Sequence, residues 1–308
     1  LPVVVSSQKF QCKQIMTHKA GFVNIIGNPN VGKSTLSNQL VGERLSIITS
    51  KAQTTRHRIF GIINTEDYQI VISDTPGVLK PHYKLQESML HFSKSALADA
   101  DILLYITDTV ETAGKNEEFL SMVKDMETPI LLAINKIDLV QQEELEKLVD
   151  YWKNELPKAK IFPISAKHKF NIRNLYDRIV ELLPESPPFF DKDALTDKPE
   201  RFFVSEIVRE KVLLNYQKEI PYSVEVEVEA FNEGETQHHI RCVIHVTRDS
   251  QKGIIIGHQG KALKKLGIDA RKEIEAFLGK KVYLELYVKV SKDWRDQDRY
   301  LKNFGYDK

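Results

Sequence analysis

An α/β protein is predicted for this 308-residue chain: a doubly wound, mostly parallel sheet in the first half, then a smaller α+β module. Three observations carry the prediction. Up to residue 183, apolar runs of strand length alternate with helical periodicity, the pattern of parallel strands joined by crossover helices. The glycines, aspartates and threonines of that half gather just after the apolar runs, where an open α/β sheet holds its ligands. Finally, residues 184–200 place Pro184, Pro187, Pro188 and Pro199 among Glu, Asp and Lys, and the helical periodicity stops there, so this stretch is read as a linker.

The first strand is Phe22 to Ile26. It runs directly into Gly27-Asn28-Pro29-Asn30-Val31-Gly32-Lys33-Ser34, the pattern G-x-x-x-x-G-K-S, and then into a helix carrying Leu36, Leu40 and Val41. Two glycines let the backbone turn tightly enough for a row of N–H groups and a helix N-terminus to face an anion. Asn28, Asn30, Val31, Gly32, Lys33, Ser34 and Thr35 are the residues expected at a polyphosphate. Lys33 reaches its β- and γ-phosphates and Ser34 holds Mg²⁺.

Residues 42–57 form a polar loop containing Gln53-Thr54-Thr55-Arg56, ahead of a strand from Ile59 to Ile63. Thr55 is expected to close over Mg²⁺ and the γ-phosphate when a triphosphate is bound and to release after hydrolysis. The next strand, Tyr68 to Ser73, ends in Asp74-Thr75-Pro76-Gly77. Asp74 is placed to hold the metal through a water, and Gly77 to offer its N–H to the γ-phosphate. Val78 stands where many switch proteins of this chemistry carry a water-orienting glutamine, so either another device drives hydrolysis or a partner supplies one. Leu79 to Ser95 is read as a mobile, charged segment able to report the phosphate state.

A buried strand, Ile102 to Ile106, is flanked by Asp99, Asp101 and Asp108, and a helix follows from about Asn116. The strand from Pro129 to Ile134 ends in Asn135-Lys136-Ile137-Asp138. A carboxylate accepts from two donors side by side, which guanine offers and adenine does not, so Asp138 selects the base. Asn135 braces the neighbouring loop, and the stem of Lys136 lies along the ring. Helix Glu143 to Leu156, strand Lys160 to Ile164 and helix Ile172 to Leu183 complete the half. Between the last two lies Ser165-Ala166-Lys167, with the Ala166 N–H expected at guanine O6.

Beyond the linker, a helix carrying Phe203, Ile207, Val208, Val212 and Leu213 leads past Pro221 to Ser223-Val-Glu-Val-Glu-Val-Glu229. This is strand alternation, with valines expected inward and glutamates outward. A second strand, Ile240 to Val246, pairs across Asn232-Glu233-Gly234, with His238 and His239 expected as exposed hairpin residues. Then follow a short helix, Gly257-His258-Gln259-Gly260, a long basic helix and a last strand, Val282 to Val288. That order is the order of a KH module of the type that begins with a helix (type II). Its G-x-x-G turn lets a nucleic-acid backbone pass close by while the next helix faces phosphates. From Lys252 to Lys281 there are eight basic residues against three acidic ones in a chain of net charge +1. Gly257, His258, Gln259, Gly260, Lys261, Lys264 and Lys265 are therefore the candidate RNA contacts.

Composition is that of an ordinary globular protein, 42% hydrophobic and 28% charged, and no apolar run approaches the length of a membrane span. Cys12 and Cys242 are too few for a disulfide framework or a Cys-ligated zinc site and point to a reducing compartment, the cytoplasm. Residues 1–15 lack the pattern of a secretory signal. They are read either as an extension preceding a functional start near Met16 or as an N-terminal arm.

The set G-x-x-x-x-G-K-S, Thr55, D-T-P-G, N-K-I-D and S-A-K resembles the translation-factor-type GTPases. With a C-terminal KH module, and with Gln53-Thr-Thr-Arg-His-Arg58 and Ala262-Leu-Lys-Lys-Leu-Gly267 as local matches, the chain from about Gly21 onward is similar to the Era family of bacterial ribosome-assembly GTPases. The resemblance implies GTP and GDP as ligands, Mg²⁺ as cofactor, binding near the 3′ end of small-subunit ribosomal RNA, a role in small-subunit assembly, and peripheral contact with the inner membrane by a monomer. It also implies K⁺ at Asn30, standing in for an arginine finger; the alternative is an asparagine that only stabilises the turn. Lys33, Thr55, Gly77 and Asn30 are thus the candidate catalytic residues. Family members commonly carry Lys within the G-x-x-G turn, whereas this chain has His258-Gln259. The division expected is a GTPase domain over 16–183, a linker over 184–200 and a KH domain over 201–308. The rival reading is an RNA-binding scaffold that holds guanine nucleotide with little hydrolysis.

Overall fold

The computed structural model describes residues 18–110 and 117–306. The readings on residues 1–15, on Cys12 and on a helix start at Asn116 lie outside them. Among the described residues, six strands form one sheet in the order β2-β3-β1-β4-β5-β6: β1 Lys19–Ile26, β2 Ile59–Asn64, β3 Tyr68–Asp74, β4 Ile102–Asp108, β5 Ile130–Asn135 and β6 Lys160–Pro163. Every pairing is parallel except that of β2 with β3. Strands β3, β4 and β5 are buried along almost their whole length, because helices cover both faces.

Helices α1 (Lys33–Val41) and α5 (Ile172–Leu182) pack Leu36, Leu40, Leu175 and Ile179 on one face, against Val23, Ile25 and Leu104. The other face is covered by α2 (Lys84–Ala98), α3 (Glu117–Lys124) and α4 (Gln142–Glu155), through Ala96, Phe119, Val123 and Trp152. Central β1 lies between β3 and β4, so the loop leaving its C-terminal end opens at the switch point of the strand order.

Residues 184–198 do not hang between domains. Ile62 N–H donates to Leu195 O (2.8 Å), Phe60 N–H to Asp197 (2.9 Å) and Asn64 Nδ2 to Ala194 O (2.9 Å), so the segment covers the open edge of β2.

The second half builds α6 (Glu200–Asn215), the single turn α7 (Ile220–Ser223), β7 (Glu225–Asn232), β8 (Gln237–Val246), α8 (Asp249–Ile256), α9 (Lys261–Leu278) and β9 (Lys281–Val290). Strands β7 and β8 are antiparallel, while β8 and β9 are parallel. Val204, Val208 and Val212 of α6 meet Ile255, Leu266, Ala270 and Ile274 over this three-stranded sheet. A further helix, α10 (Asp298–Asn303), follows.

Three expectations are corrected. Glu227 and Glu229 face solvent as the alternation requires, but Glu225 is 4% exposed, because the loop at Arg56 and the C-terminal segment cover the start of β7. His238 is buried rather than an exposed hairpin residue; its Nδ1 accepts from Gly234 N–H (3.2 Å), which ties down the turn. The segment read as mobile, Leu79 to Ser95, is largely helix α2. Its buried Leu85 and Met89 pack on Trp294, Leu301 and Tyr306, apolar partners far along the chain.

Candidate functional site

The turn after β1 is shaped by crowding as much as by its glycines. A Cβ on Gly27 would lie 2.1 Å from Ile106 O, and one on Gly77 would lie 2.7 Å from Pro29 Cα, so the D-T-P-G loop rests directly on the turn. Val78 N–H donates to Gly27 O (3.2 Å), and Thr75 Oγ1 to Ile25 O (2.7 Å). Asn30 and Gly32 take left-handed backbone (φ 66° and 101°), which aims the chain into α1. Lys33 is buried, with Nζ donating to Gly27 O (3.1 Å) and Asn28 O (2.8 Å).

Ser34 Oγ and Thr55 Oγ1 are 2.7 Å apart, so a loop residue 21 positions along the chain has closed onto the phosphate turn. Asp74 is fully buried, with neither carboxylate oxygen at a hydrogen-bond partner. Burial raises its pKa, and the Ser46 and Ser34 hydroxyls and the Lys33 ammonium oppose the rise. A buried carboxylate in that position is costly unless a cation compensates it. Two hydroxyls and one orphaned carboxylate form the oxygen donor set that suits Mg²⁺, so these residues fit the ion.

The base end is built by the N-K-I-D and S-A-K loops. Ser165 Oγ donates to Asp138 Oδ1 (2.6 Å), and this bond holds the Asp138 carboxyl below its ordinary range. Asn135 links three loops: its Nδ2 donates to Val31 O (2.8 Å), and its Oδ1 accepts from Ala166 N–H (2.9 Å). The Ala166 N–H, expected at guanine O6, is thus engaged by Asn135. Lys136 Nζ donates to Asn30 O (2.7 Å) and pairs with Asp108, which stretches its stem across the mouth of the site.

One cavity of about 630 Å³ joins the two ends. Asn30, Gly32, Lys33, Ser34, Thr35, Thr55, Gly77, Asn135, Lys136, Asp138, Ala166 and Lys167 line it, while Asn28, Val31, Asp74 and Ser165 stand behind. Residues 47–51, Gln53 and Thr54 add a wall, and Leu139 an apolar contact, that sequence reasoning missed. Nothing in a polar loop's composition marks such a wall. Val78 is 4% exposed and packs into the core with Ile26 and Ala96, away from the cavity.

In the second half, Gly257 (φ 69°, ψ 178°), Gln259 (φ 51°) and Gly260 (φ 73°) form a left-handed turn before α9. His258, Gln259, Lys261, Lys264 and Lys265 are exposed. A groove of about 410 Å³ runs from Gly260 and Lys264 along α9 to the edge of β9. It adds Gly267, Ile268, Arg271 and Tyr283 to the predicted set and leaves Gly257, His258, Gln259, Lys261 and Lys265 outside its lining. A Cβ on Gly267 would meet Leu286 at 3.4 Å, an ordinary contact.

These two sites define a class. A family model described as a 50S ribosome-binding GTPase matches residues 22–136, and one described as a KH domain matches residues 219–295; the protein is a GTPase domain joined to a KH domain. A crystal structure of Era in complex with MgGDPNP and nucleotides 1506–1542 of 16S ribosomal RNA is 40% identical, with a TM-score of 0.90, and the match covers 94% of this chain and 99% of that one. A variant of Aquifex aeolicus Era bound to GDP·AlF₄⁻ matches at the same identity, coverage and TM-score. The chain belongs to the Era family of GTPases.

Proposed function

We propose that this protein is a GTP-hydrolysing switch that binds small-subunit ribosomal RNA near its 3′ end through the KH domain and assists assembly of the small ribosomal subunit. The observation that carries the nucleotide half is the closure of Thr55 onto Ser34 beside the orphaned Asp74, in one cavity with Asp138. The RNA half rests on the basic groove beside Gly260 and on the family. The domain limits are residues 16–183 and 201–308, with the intervening segment packed along β2 of the first.

Asp138, oriented by Ser165, accepts the paired donors of guanine. Lys33 exchanges its bonds to Gly27 O and Asn28 O for β- and γ-phosphate oxygens. Ser34 and Thr55 hold Mg²⁺ directly and Asp74 holds it through water; the ion neutralises charge on the β- and γ-oxygens. Water attacks the γ-phosphorus, the bond to the β–γ bridging oxygen breaks, and GDP and phosphate leave. Gly77, resting on Pro29, offers its N–H to the γ-phosphate.

Val78 contributes no water-orienting group, so hydrolysis would be slow without help from a partner or from K⁺, which Asn30 would hold and which would supply positive charge beside the leaving oxygen. Peripheral contact with the inner membrane by a cytoplasmic monomer completes the reading and rests on the family resemblance alone. No helix among the described residues is long and apolar enough to cross a membrane.

The buried Val78 also favours a second reading, an RNA-binding scaffold that holds nucleotide with little hydrolysis. Single-turnover GTP cleavage with small ribosomal subunits separates the two. Acceleration by subunits supports the switch, and an unchanged, negligible rate supports the scaffold. Replacing K⁺ by Na⁺ in the same assay slows cleavage at least tenfold if Asn30 holds the ion, a loss equivalent to about 1.4 kcal/mol of barrier; equal rates remove K⁺ from the mechanism. Sequencing RNA crosslinked in cells to the GTP-locked protein is expected to recover the 3′ region of the small-subunit RNA, and random RNA would overturn the assignment.

A further inference from the structure

Thr55 faces the phosphate turn, but its neighbours on both sides face the KH domain. Arg56 is fully buried, with Nη1 donating to Val224 O (2.6 Å) and to Glu225 Oε2 (3.0 Å), and Nη2 donating to Pro221 O (3.0 Å). Glu225 Oε2 also accepts from Tyr306 Oη (2.7 Å). Thr54 O accepts from Arg209 of α6, itself fully buried and paired with Glu206 (2.6 Å). The buried ring of His57 stacks on Tyr306, with centroids 4.2 Å apart and planes at 16°. Lys51, earlier in the same loop, donates to Leu213 O and Tyr216 O at the end of α6.

Arg56, the Thr54 carbonyl and one face of the His57 ring are therefore seated in a socket supplied by the KH half, while Phe92 of α2 also lies beside the His57 ring (centroids 6.3 Å apart). Thr55 cannot leave Ser34 by a simple loop opening. Withdrawing Arg56 would leave the Glu225 carboxylate buried without its cation, held only by the Tyr306 hydroxyl and the Val226 N–H (3.2 Å), an arrangement far costlier than the intact pair. Either the pair breaks or the KH domain moves with the loop.

We propose that the KH domain is a working part of the nucleotide site, with Arg209, Glu225 and Tyr306 acting as positioning residues that hold Thr55 at the phosphate turn. The docked domain thereby stabilises the triphosphate state over the diphosphate state, and by reciprocity a triphosphate stabilises the docking. The inference rests on the reading of Thr55 as a Mg²⁺ and γ-phosphate ligand, and it adds which residues outside the GTPase domain keep it there.

The test compares GDP and GDPNP affinities of the full chain, both with Mg²⁺, for wild type, Thr55→Ala, Glu225→Gln and Tyr306→Phe. Glu225→Gln is expected to weaken GDPNP about tenfold and Tyr306→Phe about threefold, with GDP affinity unchanged, since bonds to a charged partner are lost only where Thr55 is engaged. A merely structural defect would weaken both nucleotides alike. Tyr306→Phe keeps the ring under His57 and carries the test if Glu225→Gln does not fold. If Thr55→Ala discriminates between the nucleotides but neither KH-side variant does, the positioning role is overturned and the switch reading stands. If Thr55→Ala also weakens both equally or neither, the reading of Thr55 falls, and the inference with it.

Discussion

The chain turns twice on paired glycines, at the two places proposed to meet phosphate, and the two turns are built differently. Each ends in a left-handed glycine that caps the following helix, Gly32 before α1 (φ 101°) and Gly260 before α9 (φ 73°). Around the first turn there is no room. Gly27 sits on the Ile106 carbonyl, Gly77 on Pro29, and Lys33 is buried against backbone oxygens. Around the second the surroundings are largely open: a Cβ on Gly260 would meet nothing within 4 Å, and the lysines that follow are exposed. A crowded turn encloses one ligand of fixed size, whereas an open one lets a polymer pass. On the proposed function, the same local chemistry serves a small molecule in one half and a chain in the other.

The largest effect should follow from adding one carbon where there is no room. Gly27→Ala forces the backbone off Ile106 and displaces the N–H groups that face the phosphates. Overpacking of this kind costs about 1–3 kcal/mol of stability, and misplacement of about 1 Å costs on the order of a hundredfold in function. GDP affinity measured by fluorescence of a labelled nucleotide should therefore fall about a hundredfold, with a lowered melting temperature. Wild-type affinity in this variant would show that the crowding does not shape the cradle.

The crowded turn was also the more legible one. Lys33, Ser34, Asn135 and Asp138, singled out by their spacing, line one cavity, because a site that encloses its ligand must match it group by group, and that requirement writes a motif. The β-strands were likewise readable from apolar runs, since burial on both faces removes polar residues. What escaped were contacts between segments distant in sequence. Glu225 reads as one solvent-facing glutamate in an alternating strand; only the fold brings Arg56 and Tyr306 onto it. Helix α2 reads as a charged segment because Leu85 and Met89 find their apolar partners more than 200 residues later. Helix α10 was not foreseen, and its six residues carry too little periodicity to announce themselves. In the KH half, Arg271 and Tyr283 belong to the groove through the packing of α9 beside β9, a relation with no local signature.

A smaller effect separates the two glycines of the open turn. Gly257 has φ 69° and ψ 178°, a region essentially restricted to glycine, and a Cβ there would lie 2.6 Å from that of Ala262. Gly260, at φ 73° and ψ 7°, has only the left-handed backbone to lose. Gly257→Ala should reshape the turn and weaken binding of a short single-stranded RNA about tenfold, whereas Gly260→Ala should cost about 1 kcal/mol of stability and leave RNA affinity within about threefold. Filter binding and thermal unfolding of the pair check this. Equal losses in both variants would mean that conformation alone, and not the space beside Ala262, decides how the turn meets RNA.

The smallest effect lies in salt dependence, and it bears on the contrast between enclosed and open phosphate sites most directly. Each phosphate of a single strand neutralised by an exposed lysine releases counterions and contributes roughly −0.7 to the slope of log affinity against log salt. Lys261, Lys264 and Lys265 are exposed on the first turns of α9, so replacing any one of them by alanine should reduce the magnitude of that slope for RNA by about 0.7. Lys33, buried and held by backbone oxygens, is screened far less, and none of the three substitutions should alter the salt dependence of GDP binding. The family's usual lysine within the turn, absent here, supplies the converse: Gln259→Lys should steepen the RNA slope by about 0.7, at no added backbone strain, since glutamine already carries a Cβ at φ 51°. If the three lysine variants leave the slope unchanged while Gln259→Lys steepens it, phosphate passes over the turn and not along α9. If all four leave it unchanged, RNA follows another face of the KH domain.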